Sequence, residues 1–157
     1  MSTYEQFANA FIVNSSFAGK AFAVQGTSKL QQTVEKTTVS ATAATGTINF
    51  DALTQAVLYY TSNASGNWTV NFRGNASVSL NSMMATGESL TVAFLVTQGS
   101  TPYYNSAVQI DGSSVTPKWQ GAAPISGNAS GVDIYSYVIF KTGSATFSVF
   151  ASQTPFV

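Results

Sequence analysis

Histidine and cysteine are both missing from this 157-residue sequence, and only six Lys/Arg and six Asp/Glu carry charge. Most enzymes that work near neutral pH rely on histidine, cysteine or a cluster of carboxylates and cations. Two of those are absent here, and the acids are scattered singly. The lack of cysteine also excludes disulfides and thiolate metal sites. The formal net charge is zero, which removes the basic excess a nucleic-acid binder uses to neutralise phosphates. A protein held electrostatically on a membrane needs the same excess. No window approaches the ~18 apolar residues of a spanning helix. Met1 to Asn9 lacks the basic and apolar regions of a secretion signal, so secretion is not expected. These absences favour a structural or binding protein, without nucleic acid, membrane, metal or cofactor.

What is present is a polar surface of hydroxyls and amides. A chain with no net charge gets little colloidal protection from repulsion, so a place inside a large assembly suits it. Five Asn-x-Ser/Thr triplets begin at Asn14, Asn63, Asn67, Asn75 and Asn128. In a sequence this rich in Asn, Ser and Thr they are expected by chance.

Two regions are expected, residues 1–32 and 33–157. In the first, Tyr4, Phe7, Ala8, Phe11 and Ile12 fall on one stripe of an amphipathic helix over 2–13. Ser2 and Glu5 have capping-box spacing. A helix of about a dozen residues is marginal alone, so the stripe needs a surface to dock on. Phe17, Phe22, Val24 and Leu30 follow among small polar residues, as an extended arm with aromatic anchors or as an edge of the core.

From Thr33 the period is two. Alternation runs through Trp68–Arg73, through Leu90, Val92, Phe94 and Val96, and through Val115, Pro117 and Trp119. It continues through Val132, Ile134, Val138 and Phe140, then Ala145, Phe147, Val149 and Ala151. Residues 34–41, 47–50 and 55–60 are also β-like. Asp111-Gly112 and Lys141–Ser144 suit hairpin turns, and Asn81–Ala85 suits one helical turn. No internal repeat is evident. The expected fold is all-β, an antiparallel β-sandwich of jelly-roll type with a short N-terminal helix and arm.

Few residues invite chemistry. A Ser–Lys dyad has no Ser-x-x-Lys motif to support it. Asp51, Glu88, Asp111 and Asp133 are the candidate carboxylates for glycosidase chemistry, but turn and strand-start positions suit backbone capping better. No Asp-x-Asp spacing offers a calcium loop. Among the aromatics, Tyr135 and Tyr137 share a face with Asp133 and Lys141, opposite Val132, Ile134, Val138 and Phe140. If exposed, that face binds a protein neighbour or stacks on sugar rings; the alternative is that it is covered by the second sheet or by the N-terminal segment.

The phrases Gly46–Asp51, Val57–Thr61, Asn67–Gly74, Ala93–Gly99, Gln109–Gly121 and Ala151–Thr154 together resemble a module of marine tailed-phage, cyanophage-like virion structural proteins. The resemblance covers roughly residues 36–157. It implies a virion protein, assembled in the host cytoplasm, with no catalytic residues and with other virion proteins as partners, major capsid or tail proteins. The leading expectation is a capsid decoration or cement protein on the outer head surface. It would dock through Tyr4, Phe7, Phe11, Phe17 and Phe22 and form a homo-oligomer, a trimer by expectation. The alternative is a tail fibre tip or knob that binds host-surface glycans, with Tyr135 and Tyr137 as the stacking residues.

Overall fold

The computed structural model describes residues 31–157. The chain divides into two units, Met1–Thr33 and Val34–Val157, and the second holds every element named below. The helix expected over 2–13 and nearly all of the expected arm lie outside the described residues.

Ten strands and one short helix follow one another: β1 (Thr37–Ala43), β2 (Gly46–Asp51), β3 (Val57–Ser62), β4 (Trp68–Arg73), α1 (Leu80–Met83), β5 (Ser89–Thr97), β6 (Asn105–Ile110), β7 (Ser113–Val115), β8 (Lys118–Trp119), β9 (Val132–Gly143) and β10 (Thr146–Phe156). They form a six-stranded sheet in the order β1-β3-β5-β9-β10-β8 and a four-stranded sheet in the order β2-β4-β6-β7. The all-β sandwich expected from the alternation is present.

The pairing within it is not the antiparallel jelly roll expected. The pairs β1–β3, β3–β5, β2–β4, β4–β6 and β8–β10 are parallel, and only β5–β9, β9–β10 and β6–β7 are antiparallel. From β1 to β6 the chain alternates between the sheets, so each turn of the chain lays one strand on each sheet beside the strand of the turn before. The physical reason lies at the corners. Short links such as Ala44-Thr45 carry the chain across the sandwich instead of back along the same sheet, with Gly46 in the left-handed region at φ 60°.

Successive corners then stack by backbone hydrogen bonds. Ser65 N donates to Ala44 O at 3.1 Å, and Ala64 N to Thr97 O at 2.9 Å. At the other end of the strands Ala52 N donates to Arg73 O at 2.9 Å, and Asp111 N to Phe72 O at 3.0 Å.

Parallel stacking puts like beside like. Ile48, Val70 and Val108 share one cross-strand row, and Phe50, Phe72 and Ile110 another, all buried. Phe50 and Phe72 lie 5.5 Å apart between ring centres. On the other side of the same strands Asn71 Nδ2 donates to Asn49 Oδ1 at 2.8 Å, and Asn71 Oδ1 accepts from Gly112 N at 2.9 Å. Arg73 Nε pairs with Asp51 at 2.6 Å, and that bond raises the guanidinium's pKa. Rows of stacked residues are a repeat, so the sequence reading that found none is corrected: Thr47-Ile48-Asn49-Phe50 matches Thr69-Val70-Asn71-Phe72, with registered pairs 22 positions apart.

The last third is antiparallel. Asp111 and Gly112 both have positive φ, 51° and 79°, which matches the tight turn expected between β6 and β7. The single strand expected over Val115–Trp119 is instead two short ones in different sheets. Pro117 lies between them; it has no N–H to give to a ladder, so pairing stops there. The one helical turn is held at both ends. Asp111 accepts from Leu80 N and Asn81 N at 2.7 and 2.9 Å. Lys141 Nζ donates to Asn81 O and Met84 O at 2.5 and 2.8 Å.

Candidate functional site: the outer face of the six-stranded sheet

The site is set by the parity of β9. Successive residues of a strand point to opposite faces, and both faces of Val132–Gly143 are rich in large side chains. The structure turns Asp133, Tyr135, Tyr137, Ile139 and Lys141 inward, all buried. Val132, Ile134, Ser136, Val138 and Phe140 point outward. Of the two readings the sequence left open, the covered tyrosine face is the one present, with Val132, Ile134, Val138 and Phe140 on the outer side; Tyr135 and Tyr137 as partner-binding residues are corrected. Both tyrosines have no exposed surface, so neither ring can reach a sugar or a neighbouring protein.

The inward choice follows from ring volume and from the bonds that the phenols make, while Trp68 Nε1 and Asp133 Oδ1 are buried without a hydrogen-bond partner. Tyr137 packs on Phe72 at 4.9 Å, and Tyr135 on Trp68 at 5.5 Å, both edge-to-face. Trp119 lies within 6.4 Å of both rings. Tyr137 Oη donates to Asn105 Oδ1 at 3.1 Å, and Tyr135 Oη accepts from Asn105 N at 3.4 Å. Asn105 Nδ2 in turn donates to Trp68 O and Ala107 O. Burial pushes both phenols well above their usual pKa, so both stay neutral. Asp133 accepts from Gln98 Nε2 at 2.8 Å and from Asn128 N at 3.0 Å. Trp68 is buried in the core, as expected.

With the rings inside, the outer face is what β9 offers solvent. Strand register lays it out in cross-strand rows. One row runs Val39–Tyr59–Leu95–Ile134–Thr154. The next is small at its centre: Thr37–Val57–Ala93–Ser136–Ser152. A third runs Thr91–Val138–Phe150, and Lys118 pairs beside Phe150. A fourth holds Ser89–Phe140–Ser148. Phe140 and Phe150 meet edge-to-face at 5.8 Å and remain 40% and 44% exposed. Phe156 and Val39 are more exposed still.

In these rows Lys118 is the single charged residue, and its Nζ lies over the Phe150 ring at 5.3 Å. Beside Phe150 the small row opens a surface hollow of about 440 Å³, lined by Lys118, Gln120, Ser136, Phe150 and Ser152. The sequence carried the signal of this face in the stripe Val132, Ile134, Val138 and Phe140.

No protein-family model, curated protein or solved structure matches this chain. The fold and the face are therefore read from the molecule itself. Of the residues expected to make contacts, Tyr4, Phe7, Phe11, Phe17 and Phe22 lie outside the described residues.

Proposed function

We propose that this chain is a non-enzymatic structural protein of a phage virion, a decoration or cement protein on the outer surface of the head. The observation that carries the contact-making part of this reading is the charge-poor outer face of the six-stranded sheet. It presents Leu95, Ile134, Val138, Phe140 and Phe150 in register with hydroxyl-bearing neighbours. Its chemistry suits burial against a like surface. The virion assignment rests on the sequence phrases described above.

The acids support a non-catalytic role by what they already do. Asp51 pairs with Arg73, Asp111 holds the start of α1, Asp133 ties Gln98 to Asn128, and Glu88 Oε2 accepts from Ala85 N. Each of these four carboxylates is engaged in a bond that maintains a corner or a turn. The tail-tip reading drew on Tyr135 and Tyr137 as sugar-stacking rings, and their burial removes that support.

In the decoration reading, Tyr4, Phe7, Phe11, Phe17 and Phe22 add a second contact to a neighbouring subunit, and two linked contacts gain avidity on a symmetric shell. A reconstruction of the intact particle tests the proposal. Density for this sandwich at regular positions on the head is the expected result; density only at the tail, or none in the particle, refutes it. Deleting residues 2–30 should lower occupancy, and full occupancy would discard the N-terminal contact.

A further inference from the structure

We infer that two copies of this chain pack face to face through the outer side of the six-stranded sheet, about a twofold axis that lies in the face and runs across the strands. This deepens the contact-protein reading by naming the partner of the face as a second copy.

The relief of the face carries the inference. The row Ala93–Ser136–Ser152 is small, and the rows on either side are large: Leu95 and Ile134 on one side, Val138 and Phe150 on the other. The hollow lies over Ser136 and Ser152, next to Phe150. A surface with a ridge one row away from a hollow is complementary to itself. A twofold axis between those rows sets Phe150 of each copy over Ser152 of the other, and Val138 over Ser136. The same operation sets Ile134 opposite Phe140. Every large side chain of β9 and β10 in these rows then meets a small or aliphatic one, which is the reciprocal pairing an isologous interface requires.

Charge agrees, and the area sets the strength. A face whose single charge is Lys118, placed at the edge strand β8, gives a charged partner nothing to pair with. Two such faces meet without like-charge repulsion at their centre. The rows that the axis exchanges run through β5, β9 and β10; three strands about 4.8 Å apart over about eight residues give roughly 400 Å² per copy, or roughly 800 Å² in total, the size of a weak contact whose occupancy depends on concentration. Aligned sheets pack about 10 Å apart at roughly 30°, a spacing that side chains of this size fill. The contact is twofold, in place of the trimer expected from the sequence.

Sedimentation of the full-length protein over a range of concentrations tests this, with Ser136→Arg to fill the hollow, Phe150→Ser to remove the knob, and Ser114→Arg on the other sheet as control. The wild type and the control should approach twice the monomer mass of 16.5 kDa as concentration rises. Ser136→Arg and Phe150→Ser should each weaken dimerisation at least about tenfold while melting as folded proteins. A wild type that stays monomeric, a trimer, or a dimer that both substitutions leave intact overturns the inference. If Ser136→Arg fails to fold, Phe150→Ser carries the test alone. Sedimentation reads the pairing of copies and the particle reconstruction reads location, so either can fail without the other.

Discussion

Tyr137 and Val138 are neighbours in sequence and lie on opposite sides of β9, so truncating each in turn measures the parity of the strand. Tyr137 has no exposed surface, packs on Phe72 at 4.9 Å and bonds Asn105 at 3.1 Å. Removing a buried aromatic ring costs about 3–5 kcal/mol. Leaving Asn105 Oδ1 without its donor in the core adds about 1–3 kcal/mol. Tyr137→Ala should therefore lose about 4–8 kcal/mol, a large share of a domain stability of about 5–15 kcal/mol. Tyr137→Phe keeps the ring and should lose only about 1–3 kcal/mol, the hydrogen-bond part. Val138→Ala trims an outward, partly exposed side chain and should cost under about 1 kcal/mol in the isolated chain. Urea unfolding followed by tryptophan fluorescence, read as midpoint and slope, separates these values. A Val138→Ala loss equal to that of Tyr137→Ala would refute the inward placement of the tyrosines and the outward placement of the apolar stripe.

Other consequences follow from the stacked corners and the buried phenols. Asn71→Ala removes the acceptor of Gly112 N and the donor to Asn49, and should cost about 1–3 kcal/mol in thermal or urea unfolding; a neutral result would remove the asparagine pair from the account of parallel stacking. Tyr135 and Tyr137 have folded pKa values raised chiefly by burial, so the folded state holds their protons more tightly than the unfolded state. Their stabilising contribution is complete below the unfolded pKa of about 10 and is lost as pH rises above it, by about 1.4 kcal/mol per pH unit for each phenol. Unfolding midpoints should fall above about pH 10, and less steeply in Tyr137→Phe; an unchanged slope in that variant would contradict its burial.

The legible parts of the sequence were those where one residue type admits one conformation. Asp111-Gly112 specified a turn with two positive φ values, and the alternation of Trp68–Arg73 matched the buried face of β4. Alternation left the parity of β9 open because both of its faces carry large side chains. Alternation counts apolar residues, whereas the fold buried the larger rings and gave Tyr137 Oη, Asp133 Oδ2 and Lys141 Nζ partners, leaving Asp133 Oδ1 buried without one.

Parallel winding was missed for a different reason. Corner residues such as Ala44-Thr45 do not state whether the chain returns along its own sheet or crosses to the other. The clue lay elsewhere, in Thr47-Ile48-Asn49-Phe50 answering Thr69-Val70-Asn71-Phe72, since parallel rungs stack like on like. Pro117 was read inside a strand, although its missing N–H argued for the break that divides β7 from β8. The outer face was visible as a stripe but not as a surface, because its rows bring together residues from strands far apart in sequence.

The proposed contact role turns on whether that face is covered in the assembly. Hydroxyl-radical footprinting of Tyr59, Phe140 and Phe150, in the assembled state and in the dissociated chain, measures it directly. Strong protection of all three on assembly, with Tyr137 unlabelled in both states, is the expected result. Equal labelling of Phe140 and Phe150 in both states would mean that the face stays open and that contacts are made elsewhere.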